Sequence, residues 1–128
     1  MTRSGHGAVH IVQLTTDEAF CAILRQEAAY FRMATGREAR LRDLFDDALT
    51  HVDGRSGAQM ARWITELDLS TPARGGAARI SIDAWRLAGR QKDNFNRSMR
   101  GGPRMRWTRR SVLIGALYCM GREREHGY

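Results

Sequence analysis

The feature that most constrains this chain is a repeat hidden at an offset of 68 residues. Leu14 falls on Ile82, and Leu44-Phe45 falls on Val112-Leu113. In the same register Val12 meets Ile80, Thr15 meets Asp83, Ala48 meets Ala116 and Leu49 meets Leu117. Identity between the halves is low, yet strand, cap and second-helix core keep one register without a gap. A chain patterned this way is expected to fold as two like units, each ordered strand, helix, helix.

Each half carries that order in its hydrophobic periodicity. Residues 1–8 read as a flexible arm, and the first unit spans 9–52. His10-Ile-Val-Gln-Leu-Thr15 alternates as a half-buried strand does, with Val12 and Leu14 inward and Ile11 and Gln13 outward. Thr15 with Glu18 fits a capping box, so a helix is expected from about Thr16 to Ala34. Phe20, Ile23, Leu24, Ala28 and Phe31 form its apolar stripe. Thr35-Gly36 breaks it, and Thr35 with Glu38 offers a second capping box. Leu41, Leu44, Phe45, Ala48, Leu49 and Val52 then share one helical face, which Asp53-Gly54 ends.

Residues 53–77 read as a connector. Within it Gln59–Leu67 fits a short helix with Met60, Trp63, Ile64 and Leu67 inward, and 70–76 is a loop by composition. The second unit spans 78–122. Ile80 and Ile82 alternate with Arg79 and Ser81, and Asp83 is placed to cap a helix through about Met99. Its stripe is Ala84, Leu87, Ala88, Phe95 and Met99, with Gln91 among them. Gly101-Gly102-Pro103 interrupts the chain. Thr108 caps a last helix that buries Val112, Leu113, Ala116, Leu117 and Met120, and residues 123–128 form a tail.

Charge is distributed unequally between the units. The chain carries 21 basic and 14 acidic residues, a formal +7, and 128 residues at 42% hydrophobic content suffice for a modest core. Residues 1–64 hold 8 of each sign, so the second half carries the whole excess. Such a balance favours a polyanionic partner. Lys92 is the sole lysine. Arginine usage fits a GC-rich genome as well as phosphate and guanine recognition, for which its planar fork is suited. Cys21 and Cys119 sit in apolar helical stretches without a CxxC pattern and read as buried thiols. Met1–Gly7 lacks a signal-peptide pattern, and the longest apolar run, Val112–Leu117, is far too short to span a bilayer. The expected compartment is the cytoplasm, with no membrane partner.

Val12-Gln-Leu-Thr15 with Leu44-Phe-Asp-Asp-Ala-Leu49, and Ile80-Ser-Ile-Asp83 with the stretch from Trp107 to Leu117, resemble the ribbon-helix-helix superfamily. The resemblance covers about residues 9–52 and 77–122, with Thr108 in the usual hydroxyl cap position of the second helix. Family members are mostly homodimers in which one strand from each chain makes an antiparallel ribbon. The fold class implied here is mainly α with a short antiparallel two-stranded ribbon, two ribbon-helix-helix units being fused in one chain as a monomeric pseudo-dimer. In length and layout the chain is similar to tandem conjugation accessory proteins of the Ti-plasmid VirC-operon T-DNA transfer-enhancer type and the F-plasmid TraY type. It departs from the pattern in its long first helices, its off-register Gly36 turn, and Arg40 at the cap of unit one.

That resemblance implies double-stranded DNA as partner, with the ribbon in the major groove. The outward residues Ile11, Gln13, Arg79 and Ser81 would read bases: Gln adenine, Arg guanine, Ile a thymine methyl. Second-helix N-termini favour phosphate. The candidates are Thr108, Arg109 and Arg110 with Arg104 and Arg106 ahead of them, and Arg37, Arg40 and Arg42 in unit one. For any one of these, an exposed strand residue or solvated helix face is the competing explanation. The unequal charge suggests an asymmetric DNA site, with unit two supplying most of the phosphate attraction.

No enzyme is expected, and neither a cofactor nor a metal. His6, His10, His51 and His126 lack metal-ligand spacing, and Asp43, Asp46 and Asp47 read as a solvated acidic face. There is no Gly-rich phosphate loop, GxSxG or Cys/His nucleophile pattern. Trp63, Trp85 and Trp107 read as packing residues. His10 faces the ribbon interior or frays at its start. The functional readings are a conjugative-transfer accessory protein working with a relaxase or other transfer proteins, a partition protein or repressor of the same fold, and, in another class, a helical adaptor for an acidic partner.

Overall fold

Strands that alternate apolar and polar side chains must bury one face and expose the other. In the computed structural model, which describes residues 9–70, 72–99 and 106–126, they do so as a pair. Among those residues the element order is β1 (Val9–Thr15), α1 (Glu18–Thr35), α2 (Leu41–His51), α3 (Gly57–Ile64), β2 (Pro72–Ser81), α4 (Ile82–Arg97) and α5 (Arg109–Glu125). The fold is mainly helical with one two-stranded antiparallel sheet. No helix among the described residues is long and apolar enough to cross a membrane. The expected arm 1–8, the Gly101-Gly102-Pro103 break and Arg104 lie outside the described residues.

The register pairs His10 with Ile80, Ile11 with Arg79, Val12 with Ala78 and Gln13 with Ala77. Val12, Leu14, Ala78 and Ile80 are buried, while Ile11, Gln13, Ala77 and Arg79 are exposed on the other side. Ile11 and Arg79 are 68 positions apart and lie directly opposite each other. The second helices keep that offset as well: α2 begins at Leu41 and α5 at Arg109. Moreover, α2 packs against β2 and α5 against β1, so each second helix rests on the strand of the other half.

The first helices break the register. Asp17, not Thr15, caps α1, its carboxylate accepting from the amides of Ala19 and Phe20 at 2.8 and 3.3 Å. Thr15 is buried and donates its hydroxyl to the Asp68 carbonyl, which ties the end of β1 to the chain after α3. Ser81, not Asp83, caps α4 by accepting from the Ala84 amide at 3.0 Å. Asp83 is left almost wholly exposed, 3.9 Å from Arg86. The actual caps are 64 apart, so the Thr15–Asp83 correspondence fails as a pair of caps. Ile82 accordingly starts a helix and is only half-buried.

Three further expectations are corrected. Thr35 with Glu38 forms no capping box: the Thr35 hydroxyl donates back to the Phe31 carbonyl, and Arg40 occupies the N-cap of α2 without a side-chain cap bond. Gly36, with φ 74°, turns the chain out of α1 in the left-handed conformation that glycine adopts at least cost. The stretch 72–76 is strand, because β2 begins at Pro72, paired with Thr15 beyond an irregularity after Gln13. Finally, α5 continues to Glu125 through the expected tail.

The core centres on α5. Every residue from Ser111 to Gly121 is buried, and α1, α2, α3 and α4 all pack on it. A helix apolar on all sides belongs inside a protein, and small residues let neighbours close in. Gly121, for instance, lies against Ile23 of α1. Two polar clasps hold the surrounding helices to α5. The Tyr118 hydroxyl donates to Glu66 at 2.7 Å, and Arg124 grips the buried Glu27 of α1 at 2.8–3.1 Å.

Candidate nucleic-acid interface

The exposed face of the ribbon is narrow and chemically mixed. Ile11, 64% exposed, sits at its middle opposite Arg79, with Gln13 and Ala77 as the next pair along. Three of the four expected base readers, Ile11, Gln13 and Arg79, therefore share one solvent-facing surface. Ser81 stands apart, since its hydroxyl is engaged in capping α4.

At the α5 N-terminus, Thr108 makes the expected cap. Its hydroxyl accepts from the Ser111 amide at 3.1 Å, and the Ser111 hydroxyl accepts from the Thr108 amide at 2.8 Å. The capping box consumes the third amide of the helix, and the first two, of Arg109 and Arg110, precede any intrahelical acceptor. Arg110 reaches the ribbon: its Nε donates to the Gln13 carbonyl at 2.7 Å and Nη1 to the Leu69 carbonyl at 2.9 Å. Arg109 lies over the Trp85 ring at 4.9 Å, and Trp85 stacks on His10 with centroids 4.3 Å apart. His10 thus faces the ribbon interior. Both arginines are half-buried and act first as braces, Arg110 between α5 and the ribbon and Arg109 between α5 and α4. Each keeps one buried donor without a partner among the described residues, Arg109 Nε and Arg110 Nη2.

These groups line an open depression of about 380 Å³ together with Lys92, exposed Arg106, Trp107 and Thr108. Among the described residues four cations line it, Lys92 being paired with Asp93 at 3.4 Å, so the local excess of positive charge favours an anion. Trp85 and Lys92 were missed as site residues. Their seven-residue spacing places them on one face of α4, but a lone lysine and a tryptophan gave no signal of function.

The start of α2 is different. Arg40 Nε lies 3.4 Å from Asp43, Arg37 stacks against Phe31 at 5.5 Å, and Arg42 is exposed. Asp43, Asp46 and Asp47 follow within two turns. Burial, reinforced by neighbouring Asp43, raises the Asp46 and Asp47 carboxyls above the ordinary carboxylate range. Acids thus stand beside Arg40 and Arg42, whereas Arg106, Arg109 and Arg110 have no ion pair among the described residues.

No family model matches the chain, and no curated protein or solved structure does either.

A second polar cluster lies between α2 and α5, away from the ribbon. Glu123 takes two hydrogen bonds from Arg55, one of them 2.7 Å long, and its Oε1 lies 2.7 Å from His51 Nε2. The Arg55 bonds hold the Glu123 carboxyl down at about 2, while burial pushes the Cys119 thiol up to about 12. The metal expectation rested on spacing and did not anticipate this meeting of His51, Cys119 and Glu123, because His51 is 72 positions from Glu123.

Proposed function

We propose that this chain is a site-specific double-stranded DNA-binding protein of the ribbon-helix-helix kind, a single-chain pseudo-dimer that reads the major groove with β1 and β2. The observation that carries the reading is the exposed Ile11–Arg79 pair. If the halves correspond at an offset of 68, this is the one pair that corresponds to itself, and the pseudo-twofold axis of the ribbon passes through it. The common offset of α2 and α5, and the exchange by which each packs on the other half's strand, support the same symmetry.

On this reading Arg79 bonds guanine, Gln13 adenine, and Ile11 meets a thymine methyl. Phosphate on one flank lies against the α5 N-terminus, drawn by Lys92, Arg106, Arg109 and Arg110. The opposite flank meets Arg37, Arg40 and Arg42 with their acidic neighbours, so the two half-sites are held unequally. The setting we favour is a cytoplasmic accessory role at a conjugative transfer origin alongside a relaxase. Partition or repression would use the same face.

The test is fluorescence anisotropy of transfer-origin and scrambled duplexes across a salt series. Selective binding with a steep salt slope is expected. Arg79→Ala should cost about 1–3 kcal/mol and relax selectivity at one position. Arg106→Ala should weaken all duplexes alike and lower the slope by about 1. Binding that ignores sequence and vanishes near physiological salt would overturn the reading. It would favour a protein-binding adaptor, for which Tyr30 and Met33, 48% and 86% exposed on α1, offer an apolar surface.

A further inference from the structure

Three metal-ligating side chains converge where α2 ends beside α5. His51 is the last residue of α2, and Cys119 and Glu123 lie four residues apart on one face of α5. Their ligand atoms all lie within 4.8 Å of one another, with Cys119 Sγ 3.4 Å from Glu123 Oε2. Bond lengths of about 2.0–2.3 Å to a tetrahedral ion imply donor separations of roughly 3.5 Å. The widest gap would then have to close by only about 1 Å.

A cation already holds the centre of this cluster. The Arg55 guanidinium donates to Glu123, lies 3.2 Å from Cys119 Sγ and 3.3 Å from His51 Nε2. The imidazole nitrogen stands between opposed partners. His51 Nε2 faces an acceptor, Glu123 Oε1, and a donor, Arg55 Nη2. A ring nitrogen either carries a proton or offers a lone pair, so one of these contacts is no hydrogen bond in either tautomer. An ion bonded to the lone pairs of both His51 and Glu123 removes that conflict. Arg55 also has somewhere to go. It lines a depression of about 290 Å³ with Asp53, Asn94 and Gln91. Gln91 is 2% exposed, and its Oε1 is a buried acceptor without a partner among the described residues, while its amide donates to the Leu49 carbonyl.

We propose that His51, Cys119 and Glu123 form a binding site for a zinc-class divalent transition metal, which exchanges with the Arg55 guanidinium. One nitrogen, one sulfur and one carboxylate oxygen suit zinc or cobalt and disfavour magnesium and calcium. The fourth position is open to water. Binding replaces the thiol S–H with a sulfur–metal bond and releases that proton to solvent. The bound ion ties the C-terminal end of α2 to α5, and it stabilises the fold by mass action.

The experiment is a Co²⁺ titration of the untagged full chain, followed by absorption. One equivalent should give tetrahedral d–d bands and a thiolate-to-cobalt charge-transfer band. Cys119→Ser should abolish the charge-transfer band, and His51→Ala should weaken binding roughly tenfold or more. Arg55→Gln separates this site from a plain salt bridge. It should tighten Co²⁺ binding by removing the competing cation, whereas a purely structural Arg55 would leave cobalt affinity unchanged. No thiolate band in either the native chain or folded Arg55→Gln overturns the proposal. So does a band that survives Cys119→Ser. Should Cys119→Ser fail to fold, His51→Ala decides, because undiminished binding there is equally fatal.

Discussion

Replacing Arg124 with methionine should cost about 3–5 kcal/mol, the usual penalty for stranding one partner of a buried ion pair. Glu27 is 1% exposed, and Arg124 holds both of its oxygens through Nε and Nη2. Arg124 also covers the Tyr30 ring at 3.5 Å, packing that methionine partly restores. Once the guanidinium is gone, the side-chain hydrogen bond left at the carboxylate among the described residues is that from Gln26, whose amide lies 3.3 Å away. One neutral hydrogen bond, worth about 1 kcal/mol, cannot replace a bidentate charged clasp. Against a typical total of about 5–15 kcal/mol, this is a large fraction of the stability. The assay is equilibrium urea unfolding, reading the midpoint at constant slope. The double variant Glu27→Leu with Arg124→Met should return to within about 1–2 kcal/mol of the native chain, since removing both charges also removes their desolvation cost. If Arg124→Met costs under about 1 kcal/mol, or the double variant is no better than the single, the clasp is not what fixes α1 to α5.

Other perturbations test neighbouring features. A Cβ at Gly89 would meet Arg109 Nε and Nη2 at 2.7 Å, the movable end of a side chain. Gly89→Ala should therefore keep or raise the unfolding free energy, by up to about 1 kcal/mol of helix propensity, while unseating Arg109 from Trp85; unchanged tryptophan emission would refute this. Gly121→Ala drives a methyl into Ile23, which is 4% exposed and has no room to withdraw. It should lose about 1–3 kcal/mol to overpacking, less about 1 from propensity, with partial recovery on adding Ile23→Val. Acid should act through Glu123, whose folded carboxyl titrates at about 2 against 4.5 for the free group. Its contribution is complete above 4.5 and disappears as pH falls through about 2, so Glu123→Gln should flatten the urea midpoint across that window. Asp46 and Asp47, shifted upward, act with the opposite sign, stabilising as pH falls through their raised values.

The parts of the fold legible in the sequence were those whose pattern is local. Val12, Leu14 and Ile80 declare a buried strand face, and Leu44, Phe45, Ala48 and Leu49 a helix face, because period alone separates inside from outside. Thr108 was readable as a cap because a hydroxyl stands just ahead of the apolar stretch Val112–Leu117, while the answering bond from Ser111 emerged only in the structure. Competition between near neighbours was not readable: Thr15 and Asp17 could both cap α1, and a carbonyl at Asp68 drew Thr15 away. Nor does Pro-Ala-Arg-Gly-Gly look like strand. Its pairing comes from β1 far away, and proline is tolerated because it stands at the first strand position. Glu27 is polar on an apolar edge, and its partner lies 97 positions away. The same distance problem hid His51 from Cys119, and the bracing of Arg110 against Gln13.

The burial of α5 on every side has a consequence for how the chain acquires its shape. Synthesis delivers β1, α1, α2, α3, β2 and α4 before the helix that all four others pack upon. Until α5 emerges, β1 and β2, α2 and β2, and α3 and α4 can already meet, but the core that includes Phe20, Phe45, Met60 and Phe95 lacks its central helix, and partial products are expected to be incompletely packed. Such contacts between distant segments also raise the entropy that must be lost before any reward arrives, which slows the search. The two halves share this helix, so neither can complete its core alone, and both are expected to become ordered when the nascent chain supplies its keystone.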